Sequence, residues 1–221
     1  MFEKMKVASL DFSDALSSSK MVNGAHALLW MDLETTGDDK YEDEIIEIGA
    51  MLTDFNLEQI GNTSFEQVIT PTDESLGRMM KNHVVREMHL ANGLIEDILS
   101  GKGVSTFEAQ KRLLAWLTNQ WNSSKQRGPI DKYKFMLAGS GVSHFDKFYI
   151  DTHLIRLADL LVYAPFDIGH TRRAFKIFGC ELAGNPSSKD QKNHRALDDV
   201  RLHLEEAKFF KTRMREQFVH S

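Results

Sequence analysis

A short apolar segment that ends in two carboxylates constrains this chain more than any other feature. Residues 27–31 are all apolar, and Asp32-Leu33-Glu34 follow at once. Such a run predicts a buried β-strand. Residues two apart on a strand point to the same face, so Asp32 and Glu34 project together. Because a buried carboxylate is costly without a counter-charge, the sequence predicts a bound cation here or, in the simpler alternative, a solvated strand end.

The rest of the chain alternates between strand and helix patterns. Further strands are predicted at 45–52, 65–69, 135–138 and 164–168. Helices are predicted at 84–90, 93–99, 106–121, 145–161, 171–178 and 196–217. Short polar links join the first three strands, which favours an antiparallel meander. This order predicts an α/β fold with a mixed five-stranded sheet flanked by helices.

Composition excludes some classes of protein. The 221 residues carry a formal net charge of −5, whereas a protein that binds nucleic acid by bulk electrostatics is usually basic. An enzyme that binds nucleic acid at a metal site is still allowed, because bound cations reverse the local sign. Cys180 is the single cysteine, so no intramolecular disulfide can form.

Residues 1–24 differ from the remainder and are predicted to be an N-terminal arm before a domain of residues 25–221. Ser17-Ser18-Ser19 and Asn23-Gly24 interrupt any helical pattern there. The arm is interpreted as a mobile leader or, alternatively, as a segment that docks on the domain or on a partner. It lacks the apolar core of a secretory signal, and no stretch approaches the length of a membrane span. We therefore expect a cytoplasmic protein without membrane partners.

Two later acidic positions resemble ordinary helix ends when each is considered alone. Asp146 begins a predicted helix after the fourth strand, and His194 and Asp199 flank the start of the final helix. First-turn acids are favoured there by the helix dipole. Taken with the strand pair, however, four carboxylates suit hard cations such as Mg²⁺ or Mn²⁺. Two such ions and a neutral histidine are what phosphodiester hydrolysis requires.

Three segments resemble the motifs of the DEDDh exonucleases, in the same order. Residues 32–37 (DLETTG) resemble the first motif, Phe145-Asp146 the second, and residues 194–199 (HRALDD) the third. The resemblance covers about residues 26–210. It implies a ribonuclease-H-like fold and 3′–5′ exonuclease activity. By the same resemblance, two divalent cations would be held by Asp32, Glu34, Asp146 and Asp199, with His194 as general base.

Within that superfamily the chain is most similar to oligoribonucleases. Residues 45–50 with Thr53-Asp54, residues 89–94 and residues 194–201 carry this similarity. It implies a homodimer that cleaves short single-stranded RNA from the 3′ end to nucleoside 5′-monophosphates. It also implies that Thr35, Thr36 and His89 contact the terminal nucleotide.

The chain departs from the oligoribonuclease pattern near the second motif and near the fifth strand. Gly139-Ser140 stands where an Asn-Ser pair is usual, and residues 163–166 (YAPF) replace a Tyr-Arg-Tyr type segment that caps the substrate phosphate. Two alternatives therefore stay open. One is a 3′–5′ DNA exonuclease on longer single strands, of the proofreading or repair type. The other is a non-enzymatic nucleic-acid-binding adaptor on the same fold.

Overall fold

A five-stranded mixed sheet forms the centre of the computed structural model, which describes residues 21–124, 128–180, 182–188 and 193–219. The strands are β1 (Ala27–Thr35), β2 (Ile45–Thr53), β3 (Phe65–Val68), β4 (Phe135–Gly139) and β5 (Phe166–Asp167). Their order is β3-β2-β1-β4-β5, with β1 antiparallel to β2 and parallel to β4. The predicted meander and the mixed five-stranded sheet are confirmed. The arm prediction for residues 1–20 lies outside the described residues, and a domain boundary near residue 24 stays a prediction.

Eight α-helices lie within the described ranges. They are α1 (Asp73–Lys81), α2 (His83–Ala91), α3 (Leu94–Leu99), α4 (Thr106–Ser123), α5 (Asp146–His153), α6 (Ile155–Ala158), α7 (Ile168–Ile177) and α8 (Ala196–Val219). In this part of the chain, no helix is both long and apolar enough to cross a membrane.

Two sequence predictions about these elements are wrong, and one helix was missed. Helix α1 was not predicted; it begins at the N-cap Thr72, whose hydroxyl accepts from the Ser75 amide. The predicted helix 145–161 is broken into α5 and α6 at Leu154, where the backbone leaves helical geometry (ψ 50°). Strand β5 has two residues rather than five, because Asp167 already caps α7 by accepting from the Gly169 amide.

The two faces of the sheet have separate cores, and the alternation of β1 assigns its residues between them. Leu29, Met31 and Leu33 pack with α4, α5 and α6, whereas Leu28 and Trp30 pack with α7 and α8. By the same alternation, Asp32 and Glu34 project toward the face that α8 covers. A third, smaller cluster joins α1 and α3 to the β2–β3 edge.

Gly49 allows α8 to approach the sheet closely. It lies on β2 directly opposite Asp32. A Cβ at this position would lie 2.4 Å from the carbonyl carbon of Ala196 and from the backbone nitrogen of Leu197. Since a real methyl group does not fit there, the glycine sets how near the first turn of α8 comes to the two central strands.

Candidate active site

Side chains from β1 and from the start of α8 meet beyond the end of the central strand. One ligand atom from each of Glu34, His194 and Asp199 lies within 4.8 Å of the other two. Glu34 and Asp199 are buried, and His194 is half-buried. The structure therefore brings together three sequence-predicted site residues that are up to 165 positions apart in the chain.

Asp32 and Asp146 contact residues that adjoin Glu34 and Asp199 on β1 and α8. Oδ1 of Asp32 lies 3.9 Å from Nδ1 of His203, which is one helical turn after Asp199 on α8. Oδ1 of Asp146 accepts a hydrogen bond of 2.9 Å from the amide of Leu33, the residue between the two strand carboxylates. The N-terminus of α5, which follows β4 in the chain, thus places Asp146 next to the end of β1.

Asp146 is a buried carboxyl group whose environment disfavours the charged form. Burial raises the pKa of Asp146 to about 7, and the negative charge of Asp167 adds to the rise, although the Leu33 amide opposes it. A divalent cation near Asp146 would offset this cost. Asp146, Asp32, Glu34 and Asp199 together offer carboxylate oxygens as donors, and such a donor set fits hard divalent ions.

An ion pair between distant residues holds the chain next to His194. Nε and Nη2 of Arg195 donate to Oε1 of Glu47 at 2.9 and 2.6 Å, and Nη2 lies 3.1 Å from Oδ2 of Asp97. Oε2 of Glu47 accepts from the amide of Ala196 at 2.9 Å. Because Glu47 is fully buried on β2, this pairing raises the pKa of Arg195 and fixes the entry to α8.

The three predicted substrate contacts form hydrogen bonds within the protein. The hydroxyl of Thr35 donates to the carbonyl of Gly37 at 2.6 Å, and that of Thr36 donates to Asp43 at 2.8 Å. His89 is fully buried, with Nε2 3.3 Å from the Thr35 carbonyl. Burial lowers the pKa of His89, so its neutral form is favoured. Contact of these residues with substrate stays a prediction.

Comparison with known proteins identifies the family. A profile of the family described as Exonuclease matches residues 29–92. An oligoribonuclease of Haemophilus ducreyi is 31% identical over 192 residues, which cover 87% of this chain and 94% of that protein. The chain belongs to the oligoribonuclease family of 3′–5′ exonucleases. An oligoribonuclease of Leifsonia xyli is 29% identical over 86% of this chain and 85% of its own length. Membership implies divalent metal ions at the site.

Solved structures show that this family member has the fold of larger exonucleases. A complex of E. coli exonuclease I with single-stranded DNA superimposes with a TM-score of 0.60 over 88% of this chain, at 19% identity. Exonuclease I of Methylocaldum szegediense gives a TM-score of 0.56 over 85% of this chain, also at 19% identity. The chain spans about two fifths of the length of these proteins. The likeness confirms the ribonuclease-H-like fold class.

A second group of potential metal ligands lies beside the site. Ligand atoms of His144, Asp167 and His170 are within 4.8 Å of one another. However, the Asp167 carboxylate already accepts from the amides of Gly141 and Gly169 and from both the amide and the hydroxyl of Ser143. Although burial opposes it, these bonds from Ser143 and Gly141 lower the pKa of Asp167 to about 2. Both carboxylate oxygens of Asp167 therefore accept hydrogen bonds that cap the turn after β4 and the start of α7, which accounts for this residue without a metal.

Sequence reasoning missed the polar residues that support the site. These are Glu47, Asn92, Arg195 and His203. Glu47 gave one available signal, because it is a single charged residue inside the otherwise apolar run 45–52. The other three occupy positions where polar residues are common, and only tertiary structure shows what they contact.

Proposed function

We propose that this protein removes nucleoside 5′-monophosphates from the 3′ ends of short single-stranded oligoribonucleotides. The observation that carries the proposal is the convergence of Glu34, Asp199 and His194 within 4.8 Å, beyond a strand that also bears Asp32. The names of the similar proteins favour RNA as the substrate.

Each residue of the proposed DEDDh set has a distinct part. Asp32, Glu34, Asp146 and Asp199 would hold two divalent cations, Mg²⁺ or Mn²⁺, which activate water and stabilise the leaving oxygen when bound. His194 would accept the proton of the attacking water, because a neutral imidazole nitrogen can act as a general base.

Variants separate the base from the ligands. His194→Ala is expected to lower kcat by about 10²- to 10⁴-fold with little change in KM, because the base acts on the water rather than on the substrate. Asp32→Ala is expected to reduce the number of Mn²⁺ ions bound in titration calorimetry. His83→Ala, which removes an exposed histidine of α2, is the control. Near-normal turnover by His194→Ala would contradict its role, and unchanged Mn²⁺ stoichiometry in Asp32→Ala would contradict the ligand set.

A 3′–5′ exonuclease acting on longer single strands, DNA included, is the second candidate. Two observations favour it. E. coli exonuclease I, which has the same fold, is seen with single-stranded DNA. Ala164 also stands where the oligoribonuclease cap has an arginine, beside a Tyr163 ring that is 93% exposed. End-labelled RNA and DNA of two to about twenty nucleotides, incubated with Mn²⁺ or EDTA, would distinguish the candidates by their length profiles. Binding without metal-dependent cleavage of any strand would favour the adaptor alternative.

The remaining parts of the proposal concern assembly, location and substrate contacts. We propose a homodimer in the cytoplasm, an arm of residues 1–24, and contacts from Thr35, Thr36 and His89 to the terminal nucleotide. The single cysteine is consistent with a reducing compartment. Light scattering of the purified chain tests the dimer, because a monomer mass at micromolar concentration would contradict it.

A further inference from the structure

The backbone of His194 adopts a conformation that is unusual for a residue other than glycine. Its φ is +47°, in the left-handed region. A side chain with a Cβ is disfavoured there, because the Cβ comes too close to a backbone carbonyl oxygen. Such a conformation persists only when surrounding contacts determine it. Contacts to His194 and to its neighbour in the chain therefore set the direction of its ring.

One contact holds His194 itself. The side-chain amide of Asn92 donates a hydrogen bond to the carbonyl oxygen of His194. The two residues are 102 positions apart, and Asn92 lies at the corner between α2 and α3. The carbonyl that accepts this bond belongs to the peptide group on the C-terminal side of the His194 Cα. The bond therefore restrains the ψ angle of His194.

The Asn92 side chain is itself fixed in one orientation. Its Oδ1 accepts from the amide of Leu94 at 3.0 Å, so its Nδ2 must face away from α3. Nδ2 also lies 3.4 Å from Nδ1 of His89. The other nitrogen of that buried ring is 3.3 Å from the carbonyl of Thr35. A neutral His89 that donates to Thr35 and accepts from Asn92 satisfies both contacts.

The residue after His194 is held as well. Arg195 is paired with the buried Glu47, and its Nη1 lies 3.4 Å from the backbone carbonyl of Asn92. Asn92 thus contacts two successive residues, with its side chain on His194 and its carbonyl near Arg195. The carbonyl of the strained residue and the residue that follows it are held by contacts from β2 and from the α2–α3 corner.

We propose that Asn92 is a positioning residue that orients His194 toward Glu34 and Asp199, with His89 holding the Asn92 amide in place. The proposal rests on the proposed function of His194 as base. It predicts that loss of the Asn92 donor frees the peptide that follows His194. The backbone can then leave its left-handed conformation, which moves the ring away from the attacking water.

Two variants separate this role from a purely structural one. Asn92→Asp keeps an oxygen for the Leu94 amide and nearly the same shape, but it cannot donate to His194. Asn92→Ser is uncharged, still provides an acceptor for the turn, and is too short to reach His194. Asn122→Asp, the same change on the exposed end of α4, is the matched control.

The primary readout does not depend on activity. Backbone amide hydrogen exchange of a peptide covering residues 193–199 is expected to be at least several-fold faster in both variants than in the wild type, with exchange in β1 and β2 unchanged. Melting temperatures close to the wild-type value would show that the fold is intact. Unchanged exchange in residues 193–199 would overturn the proposal whether or not the protein degrades RNA.

Kinetics with a short RNA oligomer and Mn²⁺ supply the second readout. Since a displacement of about 1 Å can cost 10²-fold, kcat is expected to fall about 10- to 100-fold, with KM and Mn²⁺ affinity within about twofold of wild type. A raised KM at normal kcat would make Asn92 a substrate contact, and a parallel loss of Mn²⁺ binding would make its role structural; either result overturns the proposal. A wild-type protein without nuclease activity would refute the proposed function but leave the exchange result interpretable.

Discussion

Replacing Asp146 with asparagine is expected to stabilise the metal-free protein at alkaline pH while abolishing turnover. The asparagine side chain has nearly the same shape, and its carbonyl oxygen can still accept from the Leu33 amide as Asp146 does. It removes the negative charge that burial disfavours. The group that costs stability without metal is therefore the one the proposed chemistry needs.

The magnitude and the sign follow from the pKa of Asp146. Burial, with the added charge of Asp167, raises it from 3.8 to about 7. Between these values the native protein binds more protons than the unfolded chain, so stability falls as pH rises through this window and stays reduced above it. About three units at 1.36 kcal/mol each correspond to as much as about 4 kcal/mol. The variant lacks this loss, and for a chain of this length its melting temperature would be higher by about 8–16 °C.

Thermal denaturation in EDTA at pH 5 and at pH 8 measures the effect. The difference in melting temperature between Asp146→Asn and the wild type should be larger at pH 8. Saturating Mn²⁺ should then raise the melting temperature of the wild type more than that of the variant. Asp151→Asn is the control, because this residue lies on the same helix, is exposed and pairs with Lys147.

A single outcome would refute the reasoning. If Asp146→Asn differs from the wild type by the same amount at pH 5 and at pH 8, Asp146 does not titrate in that window. Burial would then not control its charge, and the argument that a cation offsets its cost would fail with it.

Two further substitutions test how the site is supported. Arg195→Ala should destabilise the protein by about 3–5 kcal/mol, because it leaves the buried carboxylate of Glu47 unpaired. Arg213→Ala, which breaks the more exposed pair with Glu216, should change stability by less than about 1 kcal/mol. Equal losses of stability in denaturant titrations of the two variants would contradict this prediction. Gly49→Ala should cost about 1–3 kcal/mol and lower kcat by pushing α8 off the sheet. Gly77→Ala, where the added methyl meets nothing within 4 Å, should instead stabilise α1 by about 0.5–1 kcal/mol.

The predictions that succeeded depend on local patterns. An apolar run of five residues or more marked each of the two longest strands, and turn residues separated the first three. Asp32 and Glu34 could be proposed as site residues, a role that stays a prediction, because their spacing and their position after an apolar run are visible in the eight residues 27–34. That they share a region with Asp146 and Asp199 was expected from a resemblance to known motifs, since no local pattern encodes proximity across more than one hundred residues.

The predictions that failed depend on contacts that sequence does not display. Helix α1 is weakly apolar and has Gly77 at its centre, and its start is fixed by the amide and hydroxyl of Thr72, both of which donate to Glu44 on another segment. Likewise, Glu47 and Arg195 are 148 positions apart. Glu47 is visible in the sequence only as a charge inside an apolar run, and nothing local indicates that Arg195 is its partner.

The position of α8 in the chain has a consequence for when the protein can act. Glu34 precedes His194 and Asp199 by 160 and 165 positions, and these two later residues reach the strand end only when α8 packs on β1 and β2. A growing chain therefore contains Asp32, Glu34 and Asp146 before its proposed proton acceptor and final carboxylate exist. Nuclease activity would then begin only after α8 has been synthesised and has packed on the sheet.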